Sequence, residues 1–303
     1  MLCPVPGPAP LPLAHEEAAS LPLGWGFDPL VWVGIGLLAA LYAQGLRRWR
    51  PRSYEFSPWH PVAFYAALAI AFGALQSPLE HLAEELLAAH MVQHLLLTMW
   101  VAPLLVLGAP VTPLLRGLPV VLRLGLVRPL ARARWARRLF PLFIRPVPAW
   151  LLATAALWAW HLPAAYDLAL RSAAVHVLQH VTLVLTATFF WAALMDISPL
   201  RSRLSYLGRI FFMLGAAAVS SPLALLIILA APGLYSAYTG AWGLSVAQDQ
   251  QAAGLIMLVP GDMMYLAGLV VCVLVWLERE EQRAQREAEE QAAEQAKASS
   301  AGP

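Results

Sequence analysis

Apolar residues run through this chain in seven long stretches, at 28–46, 60–76, 87–107, 147–162, 174–195, 208–230 and 252–277, and polar residues gather almost entirely between them. A helix needs about 20 apolar residues to cross a hydrocarbon core about 30 Å thick. Trp59, Trp150, Trp158 and Trp160 stand near the ends of these stretches, where amphipathic rings favour the membrane–water interface. The pattern predicts an all-α integral membrane protein with seven transmembrane helices.

The basic residues orient it. Arg47, Arg48, Arg50 and Arg52 follow the first stretch, and Arg116, Arg123, Arg128, Arg132, Arg134, Arg137, Arg138 and Arg145 follow the third. Arg201, Arg203 and Arg209 follow the fifth, and Arg279, Arg283, Arg286 and Lys297 follow the seventh, leaving Arg171 alone on the other side. By the positive-inside rule the N-terminus is outside and the C-terminus cytoplasmic, as an odd number of spans requires. The domains expected are an external segment over 1–27, a seven-helix membrane domain over 28–277 and a charged cytoplasmic tail over 278–303. Residues 1–27 carry no basic n-region and so do not read as a cleaved signal peptide. Within the membrane domain, 108–146 is a basic cytoplasmic loop that alternates Arg with Leu, Val and Phe. It should lie on the inner leaflet, where each Arg near anionic lipid contributes about 1 kcal/mol.

Composition agrees: 60% hydrophobic residues, 13% charged residues and a mean hydropathy of +0.63 exclude an ordinary soluble domain. A net charge of +2 argues against a nucleic-acid partner. The two cysteines, Cys3 and Cys272, are too few for a disulfide scaffold and lack metal-type spacing.

The chemistry lies in a repeated motif. His90-Met91-Val92-Gln93-His94 and His176-Val177-Leu178-Gln179-His180 are both HxxQH, each just after an external loop. Histidines at i and i+4 share a helix face, with Cβ atoms about 5–6 Å apart. Two such pairs at equal depth can converge on a metal. The competing reading is a hydrogen-bonded helix–helix contact with Gln93 and Gln179. His81 and His161 stand before the two pairs as further candidate ligands. His60, beside Trp59 and Pro61, reads as interfacial, and His15 with Glu16 and Glu17 as part of a solvated segment. Gln250 aligns with Gln93 and Gln179, so the spans read as one helix followed by three related hairpins. The last hairpin offers packing and candidate acidic or sulfur ligands in Asp249, Met257, Asp262, Met263 and Met264.

Imidazole suits zinc, copper, iron and nickel, and nearby thioethers favour Cu(I). Haem would leave two paired histidines unused, and the HxxHH boxes of membrane oxygenases are absent. An iron or haem protein using the same histidines, and a metal-free scaffold, stay as alternatives.

The runs SPLEHLAEELLAAHMVQHLLLTMWVAPLLVLGAP, WAWHLPAAYDLAL with HVLQH, and DQQAAGLIMLVPGD resemble the CtaG family of caa3-type cytochrome c oxidase assembly factors. The resemblance implies a seven-spanning, non-enzymatic protein of the bacterial plasma membrane. It implies copper as cargo, His90, His94, His176 and His180 as ligands, and His81 and His161 beside them. Expected partners are an oxidase subunit under assembly, an external copper donor and membrane lipid. The expected path holds Cu(I) between spans three and five and passes it laterally to the CuB centre.

Overall fold

The computed structural model describes residues 24–49, 56–197 and 204–300. Cys3, His15, Glu16, Glu17, Arg50, Arg52, Arg201 and Arg203, with most of the predicted external segment, lie outside the described residues. Among the described residues the regular structure is entirely helical.

In chain order the helices are α1 (Pro29–Arg48), α2 (Trp59–Gln76), α3 (Pro78–Glu85) and α4 (Leu87–Leu107). Next come α5 (Val111–Gly117), α6 (120–132), α7 (Arg134–Phe143) and α8 (Pro146–Trp160), then α9 (Pro163–Arg171), α10 (Ala173–Leu194), α11 (Tyr206–Leu229) and α12 (Val246–Ser300). Six of them, α1, α2, α4, α10, α11 and α12, are long and apolar enough to cross a membrane. The predicted fourth span is the 15-residue α8. At 1.5 Å per residue it reaches only about 22 Å. Its C-terminal end is set by Pro163, which holds the preceding Leu162 in extended backbone.

The expected hairpins have a common construction. In the first two a proline opens a short helix, Pro78 in α3 and Pro163 in α9. One extended residue, Leu86 or Ser172, then breaks the helix before the next span begins. The first histidine of each motif stands four residues later, and its backbone N–H donates to that breaking residue, His90 to Leu86 and His176 to Ser172. The motif glutamine latches two hairpins shut. Gln93 donates to the carbonyl of Ala74 near the end of α2, and Gln250 donates to the carbonyls of Ile227, Ala230 and Ala231 at the end of α11. These carbonyls belong to the last turns of helices, which lack partners within the helix.

Close helix approach holds the rest together. A Cβ on Gly254 of α12 would stand 2.5 Å from Ile228 Cγ1 and 3.0 Å from the carbonyl of Ala224 in α11. Small residues at such crossings let helices pack without a hydrophobic driving force in lipid. At the end away from the motifs, Gly45 of α1 faces Pro113 of α5, and a Cβ there would meet the Pro113 carbonyl at 1.8 Å. Arg48 Nη1 caps the end of α5 by donating to the carbonyls of Gly117 and Leu118. Helix α7 leaves Trp135, Leu139 and Phe140 exposed alongside Arg134, Arg137 and Arg138, an amphipathic composition suited to a membrane surface.

Candidate metal centre

Buried polar side chains collect at the motif end of the bundle: Gln76, His90, Gln93, His94, His161, His176, Gln179, Asp249 and Gln250. The four motif histidines do meet. The His90 and His94 rings are 4.4 Å apart, those of His90 and His176 5.2 Å, those of His94 and His180 5.2 Å, and those of His176 and His180 4.3 Å. One ring nitrogen each from His90, His94 and His180 lies within 4.8 Å of the others. Imidazoles bound at 2.0–2.1 Å to one ion stand about 3.3–3.6 Å apart in tetrahedral or trigonal geometry. The 3.0 Å between His90 Nε2 and His94 Nε2 is near that separation. Small side-chain adjustments would bring all three onto one ion.

The chain itself sets the tautomer of His90. Tyr238 donates its hydroxyl proton to the carbonyl of Ala83, 3.0 Å away, so its oxygen accepts from His90 Nδ1, 2.9 Å away. The proton therefore sits on Nδ1, and the Nε2 lone pair faces His94 and the shared centre. A hydrogen bond to the second ring nitrogen is the usual means of orienting a ligating histidine. His161 is arranged alike, with Nδ1 donating to the carbonyl of Leu157 at 2.7 Å and a buried Nε2 without a partner. Its ring is 6.2 Å from that of His94, beside the triad rather than in it.

His81 is elsewhere. Its side chain is 66% exposed, with Nδ1 3.9 Å from Glu84 and Nε2 3.5 Å from Glu85. The counterpart of His161 is Gln76, since each stands two residues before the proline that opens the short helix. Gln76 Oε1 accepts from the backbone of Asp28. His60 lies at the opposite end, Nδ1 2.6 Å from the Leu107 carbonyl, in keeping with an interfacial role.

The acids of the last hairpin are structural. Asp249 accepts from the backbone N–H groups of Leu87 and Ala88, at 2.8 and 2.9 Å, and so satisfies the exposed start of α4. Asp262 accepts the hydroxyls of Ser220 and Ser221, at 2.9 and 2.6 Å. Met263 is exposed and does not approach the histidines, whereas Met257 lines a cavity beside His94. The tyrosines were not foreseen. Between α11 and α12 the chain folds over the histidines, placing Tyr238 against His90 and Tyr235 against the His161 carbonyl at 2.9 Å. Ser236 in the same loop donates to Asp167, which ties the loop to α9. Two tyrosines three residues apart in a span-connecting loop were the available sign.

Beyond the motif, α4 changes form. Residues Leu96–Val101 make a π-helical stretch that ends two residues before Pro103, whose ring lacks the N–H that would bond the Met99 carbonyl. The widened turn leaves the Thr98 carbonyl to accept from Trp191 Nε1 at 3.0 Å. Such stretches often mark functional sites.

The cytochrome c oxidase caa3 assembly factor family matches residues 40–279 of this sequence, which takes in both motifs, both short helices and the tyrosine loop. The chain belongs to that family. Among curated proteins it is similar to an uncharacterised protein of Mycobacterium bovis and to one of Mycobacterium tuberculosis, each 26% identical over 272 residues. One of Mycobacterium leprae is 23% identical over 269 residues. Each alignment covers 87% of this chain, and the chain spans 41% of the length of these relatives. No solved structure matches. Family membership and several long apolar helices together describe a multi-pass membrane protein whose family assembles caa3 oxidase.

Proposed function

We propose that this protein carries copper as Cu(I) to the oxidase under assembly, held by His90, His94 and His180 with His176 against them. One observation carries the reading: three imidazole nitrogens from two helices converge inside the bundle, and the neighbouring Tyr238 keeps one of them as a lone pair facing the others. Imidazole nitrogens suit copper among other ions, and a monovalent ion brings only a single charge into the membrane. Two histidines one turn apart on one helix also suit a compact ion better than a haem, whose axial ligands stand on opposite faces.

In this reading the bundle has seven spans in the bacterial plasma membrane, with α8 the short one, the N-terminus outside and the histidines towards the outer face. The basic segment over 108–146 rests on the lipid of the inner leaflet. An external donor loads the site. The oxidase subunit takes the ion laterally, at the depth of its CuB centre rather than at the external CuA centre. The protein acts by binding and transfer and catalyses no turnover.

A strain carrying the chain with His90, His94, His176 and His180 all replaced by Ala tests this. It should assemble oxidase that contains haem but lacks copper at CuB, while the variant protein itself accumulates normally. Oxidase of full copper content and activity in that strain would refute the proposal.

A further inference from the structure

Beside the histidines, residues of α4, α8, α10, α11 and α12 line a partly open cavity of about 100 Å³. That is several times what one water molecule needs. His94 and His161 line it together with Met91, Met99 and Met257. His161 is 4% exposed, its Nδ1 is committed to the Leu157 carbonyl, and its Nε2 is buried without a partner. Burying such a nitrogen unpaired costs about 1–3 kcal/mol. A thioether is a weak ligand for hard ions and a good one for Cu(I). Ser220 lines the same cavity and donates to Asp262, so a carboxylate sits one hydroxyl away to balance a positive charge.

We infer that this cavity is a second Cu(I) station, formed by His161 and thioether sulfur from the methionines that line it, which receives the ion from the histidine triad. The inference rests on the copper-carrying reading above and extends it. His94 belongs to both places: its Nε2 stands 3.0 Å from His90 Nε2, and the residue forms part of the cavity wall. The hand-over is a ligand exchange in which nitrogen bonds to His90 and His180 give way to bonds to His161 and sulfur. Copper stays Cu(I), no electron moves, and the imidazoles stay neutral. A mixed nitrogen and sulfur station deeper in the bundle would commit the ion to the route towards a buried acceptor.

The test is a Cu(I) titration of the purified full-length protein against a chromophoric Cu(I) chelator, with copper X-ray absorption recorded at one and two equivalents. The wild type should take up two equivalents, the first bound by nitrogen alone and the second adding a sulfur scatterer. Replacing Met91, Met99 and Met257 together by Leu nearly conserves volume and keeps the fold. That variant should keep the first equivalent, lose the sulfur scatterer and bind the second at least tenfold more weakly. His161→Ala should also lose the second equivalent. A wild type that stops at one nitrogen-bound equivalent overturns the second station and leaves the carrier proposal standing. So does a sulfur scatterer that survives in the triple Leu variant. A wild type that takes up no copper defeats both. The wild-type spectrum decides even where a variant fails to fold.

Discussion

The two HxxQH motifs are alike in sequence and unlike in structure. Around the first, more of the motif is tied, although Gln93 Oε1 and His94 Nδ1 are buried without partners. Asp249 caps the start of α4, Tyr238 orients His90, and Gln93 bonds the Ala74 carbonyl and the carboxylate of Glu80. Around the second, Ser172 makes no side-chain cap, both polar atoms of the Gln179 amide are buried without partners, and His180 Nε2 is likewise unpaired. The first motif is the more fully hydrogen-bonded of the two, and the second keeps more of its polar atoms unpaired. For the proposed copper carrier, the more fully bonded half would preserve geometry while the other would adjust on release.

The largest difference should appear at the helix starts. Asp249→Ala strands two backbone N–H groups, one buried and one partly buried, that now pair with a carboxylate, and should cost about 3 kcal/mol. Ser172→Ala should cost under about 0.5 kcal/mol, since that hydroxyl caps nothing. Unfolding titrations in detergent micelles measure both, and equal losses would remove the asymmetry. The glutamines give the next contrast. Gln93→Leu leaves a carbonyl and a carboxyl unpaired and should cost about 2 kcal/mol. Gln179→Leu exchanges an unsatisfied amide for an apolar side chain and should be neutral or stabilising in the same assay.

Tyr238→Phe removes the hydroxyl that orients His90 and should weaken Cu(I) binding about tenfold, the lower end of what losing such a partner costs. An unchanged affinity would show that His90 needs no external orientation. The last contrast is in pH dependence. Burial pushes the Glu80 carboxyl up to about 7, with Glu84 and Asp28 adding to the rise and the Gln93 hydrogen bond opposing it. Between the ordinary value of 4.5 and about 7 the folded protein holds a proton that the unfolded chain has released. Stability therefore falls as pH rises through that window. Melting curves from pH 4 to 8 should show this decline, and Glu80→Gln should flatten it.

Much of this was legible in the pattern of residues. Long apolar stretches predict α1, α2, α4, α10, α11 and α12 because lipid admits little else. The two i, i+4 histidine pairs predict their own convergence because they stand at matching distances from the loops. Other features depend on contacts between distant residues. Asp249 caps a helix that begins 162 positions earlier, and Tyr238 reaches Ala83 across 155. The order in which histidines occur suggested pairing His81 with His161, whereas the prolines set the register and match His161 to Gln76. A polar position on a short amphipathic helix such as α3 reads the same whether it faces the cluster or the solvent, and His81 faces the solvent.

Copper content tests the account most directly. The purified wild-type protein, loaded with Cu(I) and desalted, should retain copper in stoichiometric amount. The variant with His90, His94, His176 and His180 all replaced by Ala should retain at least tenfold less. Equal copper in the two proteins, or none in the wild type, would contradict the claim that these histidines form a copper site.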